Sequence, residues 1–134
     1  MLNPSTADHE RNDATIERCE RRARSLGFGA IVVWNLFAFR STTPQVLRKQ
    51  ADPVGPENDS FIHSVLAEVK ARNGKVIAGW GSHGELLDRP KKIHAIAETL
   101  DVQFLCLGVT RTGQPKHPLY ISYEETPKVW RYYC

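Results

Sequence analysis

The hydrophobic pattern of this chain turns on residues 31–40, where the uncharged, β-branched run Ile31-Val32-Val33-Trp34 gives way to Asn35-Leu36-Phe37-Ala38-Phe39-Arg40. A run of that length without alternation predicts a strand covered on both faces, the pattern of a parallel sheet rather than of a sheet with one wet side. Such a strand needs helices above and below it. Asn35 falls where the run weakens, and an amide buried at the carboxyl end of a strand either finds a partner in a neighbouring loop or meets a ligand.

The remaining pattern alternates between helical and extended periods. Ile16, Cys19, Ala23 and Leu26 recur at three- and four-residue steps and predict a helix over 13–26, capped by Asn12 or Asp13 and stopped by Gly27. Thr42-Thr43-Pro44 opens a short helix, and two prolines and a glycine break the segment 50–58. A second full helix is expected over 57–72, where Phe61, Ile62, Val65, Leu66 and Val69 form a broad face and Asn73-Gly74 supplies the stop.

A short apolar strand over 75–80 follows and runs into Gly79-Trp80-Gly81-Ser82-His83-Gly84, a turn whose glycines let backbone amides approach another molecule. Asp88 and Pro90 start a helix carrying Ile93, Ile96, Ala97 and Leu100, and residues 102–109 read as a third strand. The tail from 119 to 134 is aromatic, and it is expected to pack across the sheet or a helix. At the other end, Met1-Leu2 running into Asn3-Pro4 reads as the last residues of a strand whose beginning is truncated.

Strands alternating with helices predict one α/β domain over 1–134, in three layers: a short, mostly parallel sheet of about four strands with helices on both faces. Its 134 residues suffice to bury a core without staples. The three cysteines share no metal-type spacing, so neither a metal nor another cofactor is expected, and a reducing, cytoplasmic setting fits. No apolar stretch reaches membrane-spanning length. A net charge of +3 is too small to demand nucleic acid, and the arginines between Arg11 and Arg24, interleaved with Glu10, Glu17 and Glu20, read first as a solvated helix face.

Right-handed crossovers put the loops after each parallel strand on one rim. That rim gathers Asn3, Ser5, Asn35, Trp80, Gly81, Ser82, His83, Lys116 and His117. Two amides, a glycine turn and imidazoles with few carboxylates suit a flat, polar ligand and a departing anion better than a hard metal ion.

Four segments in this order resemble the motifs of the uracil-DNA glycosylase superfamily. Asn3-Pro4 is similar to its first motif, and Val33-Trp34-Asn35-Leu36 to the strand whose terminal Asn reads the base. Gly79-Trp80-Gly81-Ser82-His83 resembles its Trp-Gly-Ser turn, and His117-Pro118-Leu119-Tyr120 its His-Pro-Ser-Pro loop. The opening Leu2-Asn3-Pro4-Ser5-Thr6-Ala7-Asp8, the stretch from Asn35 to Arg40 and the closing Lys116-His117-Pro118-Leu119-Tyr120 also resemble DUF1643, a family of unknown function.

The superfamily resemblance implies a glycosylase-like fold that binds a nucleobase, as a nucleotide or within DNA or RNA, and hydrolyses an N-glycosidic bond. Asn3 would then hold the water, Asn35 would bind the base edge and His117 would donate to the leaving base. Ser5, Phe37, Arg40, Trp80, Gly81, Ser82, His83, Lys116 and Tyr120 would line the substrate. In DNA the base must first be flipped out of the stack. Two other classes compete: a non-catalytic nucleic-acid-binding module using Arg18, Arg21, Arg22, Arg111, Lys116 and Lys128, and a partner-binding domain that self-associates through the aromatic tail.

Overall fold

The structure is a computed structural model and describes residues 1, 14–36, 55 and 57–132. Among these, three helices and three short strands form a mixed α/β unit. In chain order they are α1 (Ala14–Ser25), α2 (Asn58–Ala71), β1 (Val76–Ala78), α3 (Arg89–Thr99), β2 (Phe104–Cys106) and β3 (Lys128–Trp130). Two 3-10 turns, Ser82–Asp88 and Pro118–Tyr120, follow β1 and precede β3. The helix expected at Thr42-Thr43-Pro44 lies outside the described residues.

The helices follow their local signals closely. Gly27 (φ 87°), Asn73 (φ 54°) and Asp101 (φ 54°) take the left-handed conformation that closes each helix. The next residue's amide then reaches back to an orphan carbonyl, as in Phe28 to Ala23, Gly74 to Val69 and Val102 to Ala97, each near 2.9 Å. α2 buries Ile62 and Leu66, and α3 buries Ile93 and Ala97. These side chains join Val76, Ala78, Trp80, Phe104, Cys106 and Trp130 in one core. Trp80 and Trp130 meet edge to face at 5.1 Å, and Gly84 must be glycine because a β-carbon there would run into the Trp80 ring.

The sheet departs from the expected pattern in two ways. Its order is β1-β2-β3, with β1 parallel to β2 and β3 antiparallel to β2. β3 is therefore a strand where a packed tail was expected. The Trp130 side chain explains the pairing: it sits opposite Phe104 in register and donates its indole N–H to the Gly113 carbonyl at 3.0 Å. A three-residue segment with one apolar anchor carries almost no periodic signal.

The second departure concerns residues 31–34, expected as a strand covered on both faces. They form no assigned strand, and Val32 is 62% and Ile31 41% exposed. Among the described residues one ladder rung is present: the Met1 nitrogen donates to the Trp34 carbonyl and the Leu36 amide donates to the Met1 carbonyl, both at 2.9 Å. That exchange is the parallel pattern. Before that rung, on the Met1 side, the run borders a cleft that Met1 also lines, and among the described residues no strand covers it there.

α1 also turns differently. Its most buried residues are Thr15 and Arg22, while Cys19, Ala23 and Leu26 line the cleft. Arg21 and Arg24 are exposed, as a solvated face requires, but Arg18 and Arg22 are not part of it. Arg22 donates to the carbonyls of Ile121 (3.0 Å), Ser122 (3.1 Å) and Glu125 (3.4 Å), and Arg18 donates to those of Ile121 and Pro118. The Tyr123 ring faces the guanidinium groups of Arg18 and Arg22 at 4.4 and 5.2 Å. Among the described residues no strand pairs with the backbone of 118–125, and α1 supplies donors to its carbonyls. Arg22→Met, which keeps the stem and removes the donors, is expected to lower stability by about 2 kcal/mol in urea denaturation. Arg21→Met, which removes only an exposed ring contact, should cost under about 1 kcal/mol.

Candidate functional site

Residues 34–36 are held in place by groups from three directions. Asn58, the first residue of α2, donates through its side-chain amide to the carbonyls of Asn35 (3.1 Å) and Leu36 (3.0 Å). Arg89, the first residue of α3, donates from Nε to the Leu36 carbonyl at 2.9 Å, and Met1 closes the rung already described. A helix that follows a parallel strand begins at that strand's carboxyl end, so contact with the start of α3 places Asn35 beside the rim from which β1 exits. The amide of Asn35 is thus carried on a fixed backbone. Its Oδ1 is buried and finds no hydrogen-bond partner among the described residues.

A second part of the rim is built by β1's exit and the loop after β2. The Gly81 amide donates to the Pro115 carbonyl at 2.8 Å, and a β-carbon at Gly81, where φ is +75°, would lie 3.8 Å from the His117 β-carbon. At Gly79 a β-carbon would come within 3.0 Å of the Pro118 ring and 3.4 Å of the Lys116 carbonyl, so Gly79 is set by this close approach and Gly81 by its positive φ. The loop holds itself through the Val109–Pro115 bridge and through Lys116, whose amide donates to the Gly108 carbonyl at 2.9 Å. His117 accepts from the Leu119 amide at Nδ1 (3.3 Å), which in the neutral ring puts the proton on Nε2, a donor position.

The structure therefore joins Gly81 to Lys116 and His117, and it places Asn35 at the start of α3 through its neighbour Leu36. Ser82 and His83 are exposed at the beginning of the 3-10 turn, and Lys116 is exposed on the loop. Trp80 is buried, donates its indole N–H to the Gln114 Oε1 at 2.7 Å and packs on Trp130, so its ring belongs to the core and the wall of the cleft. Tyr120 lies in the second 3-10 turn. Asn3, Ser5, Phe37 and Arg40 lie outside the described residues.

The family model described as protein of unknown function (DUF1643) matches residues 1–119. The chain belongs to the DUF1643 family. The match takes in both amide positions, the glycine turn and the His117-Pro118 loop of this DUF1643 chain, and it stops before β3. No curated protein and no solved structure matches the chain. Among the described residues no helix is long and apolar enough to cross a membrane, and no group of His, Cys, Asp and Glu is placed to hold a metal ion.

Pattern reading missed the clamp on the Asn35 backbone. Arg89 was visible only as the residue before Pro90 at a helix start, and Asn58 only as a polar residue after a broken segment. Arg89 also pairs with Asp59 through Nη2 at 2.7 Å, and Lys92 reaches the same carboxylate at 3.2 Å. Partial burial pushes the Asp59 carboxyl up, but the hydrogen bonds and charges of Arg89 and Lys92 outweigh it and hold the group below its ordinary value. Charged residues directly before and after a helix start, with Pro at its second position, are the only local hint of this network.

Proposed function

We propose that this DUF1643 chain binds a nucleobase at the rim, with Asn35 reading the base edge, and that His117 assists cleavage of the bond between base and sugar. The buried, unpartnered Asn35 Oδ1 on a backbone clamped by Asn58, Arg89 and Met1 carries this reading. An amide offers one acceptor and one donor pair in a plane, which matches the N–H and C=O edge of a base. The rigid carrier lowers the ordering cost of binding. His117, with its proton on Nε2 beside the Gly81 turn, supports a donor role toward a departing base, and Asn3 would hold the attacking water. Arg18 and Arg22 spend their donors on backbone carbonyls, so a purely phosphate-led binding module has fewer cations to draw on.

The test is calorimetric titration with free bases and nucleosides, alongside chromatographic detection of released base. Asn35→Ala is expected to weaken base binding at least about tenfold with the melting temperature nearly unchanged, because the lost oxygen has no protein partner to strand. His117→Ala should slow base release while leaving ground-state affinity in place. Absence of binding by every base and nucleoside, or loss of the fold in Asn35→Ala, would overturn the proposal.

A further inference from the structure

A cleft of about 390 Å³ separates residues 28–34 from the free edge of β1. Its walls explain most of the apolar surface left outside the core. Of the eight large hydrophobic residues exposed among the described ones, Leu26, Phe28, Ile31, Val32 and Ile77 line this cleft. α1 and α2 add Cys19, Ala23, Val65 and Val69 to it. Among the described residues β1 is the outer strand of the sheet, paired on its β2 side, so its other edge presents backbone donors and acceptors to the cleft. The opposite wall, residues 31–34, is the β-branched run whose composition demands cover on both faces.

Met1 marks one end of this space with backbone geometry. Its nitrogen and carbonyl exchange hydrogen bonds with Trp34 and Leu36 in the parallel pattern, which sets Met1 level with Asn35. A chain entering Met1 in that direction runs parallel to 31–35, and four residues before Met1 reach the level of Ile31. At about 3.3 Å per residue they span the apolar wall.

We propose that the cleft is a strand-acceptor site: an extended, apolar, β-branched peptide lies between residues 31–34 and β1, parallel to 31–34 and ending at the level of Met1. The occupant is apolar because the exposed hydrophobic side chains of both walls need cover that a polar strand does not provide. It is extended because only a strand satisfies the edge of β1 and the run at 31–34 together. The Met1 nitrogen donates to the Trp34 carbonyl and so fixes the level at which that strand ends. As a free amine it is enclosed, and desolvation pushes it down to about 5.

The experiment compares the whole chain with three variants carrying six added residues before Met1: Val-Thr-Val-Ile-Thr-Val, the same peptide with proline at its second and fourth positions, and Gly-Ser-Gly-Ser-Gly-Ser. Amide hydrogen exchange is read at residues 31–34 and 76–78, with the association state followed by light scattering. The Val-Thr-Val-Ile-Thr-Val extension is expected to raise protection at both walls at least about tenfold in a monomer, by satisfying edges that now face the cleft. The proline and Gly-Ser extensions should leave exchange unchanged. Equal protection in all three variants, or unchanged exchange with the apolar extension, would sink the idea. Protection that appears only in a dimer would overturn it in favour of a second copy of the chain as occupant.

Discussion

Arg89→Ala is expected to destabilise the protein by about 3 kcal/mol. The guanidinium is 1% exposed and ties three segments together: α3, where it stands; α2, through Asp59; and residues 34–36, through the Leu36 carbonyl. Truncation leaves Asp59 its ion pair with Lys92 and opens a void where the buried side chain stood. Asp59 remains about a third exposed, so solvent screening keeps the loss at the lower end of the range for broken buried pairs. Asp59→Asn should therefore cost less than half as much. Urea denaturation of both variants checks the ranking, and a loss below about 1 kcal/mol for Arg89→Ala would mean the clamp is not held by this side chain.

The same pair predicts acid sensitivity. Asp59 has its carboxyl held below its ordinary value of 3.8 in the folded chain, so the unfolded chain binds the extra proton first as pH falls. Its stabilisation is present above that value and is lost below it. Arg89→Ala should flatten this part of the acid limb.

Stability is also expected to rise with pH between about 5 and about 8, by roughly 4 kcal/mol in all, through the Met1 amine. Burial lowers the folded amine from 8.0 to about 5, with a smaller opposing influence from Cys19. Within that window the unfolded amine carries a proton that the folded one has released. The unfolded state thus binds more protons, and raising the pH favours the fold. Acetylating the amino group removes the titration and keeps an N–H for the Trp34 carbonyl. The difference between the urea midpoints of the native and acetylated chains, followed from pH 5 to 8, isolates this group from the five histidines. Superimposable pH profiles would contradict it.

Local patterning was enough for the helices. Their apolar spacing and the stops at Gly27 and Asn73 act over four or five residues, and 58–71 and 89–99 emerge within a residue or two of expectation, the last closed by Asp101, which the pattern did not mark. Local patterning also found β1, β2 and the approach of the Gly79-Gly81 turn to the His117 loop, because strand-end loops share a rim once the sheet is parallel. Pairing over long separations was beyond its reach. β3 is a strand only because Phe104 and Gly113 receive Trp130, and Arg22 is buried only because carbonyls about a hundred residues away accept from it. The β-branched run at 31–34 declared its need for cover on both faces, yet what stands beside it depends on backbone brought from elsewhere. Periodicity records which side chains must leave water, whereas the identity of their partners is settled when distant segments close around them.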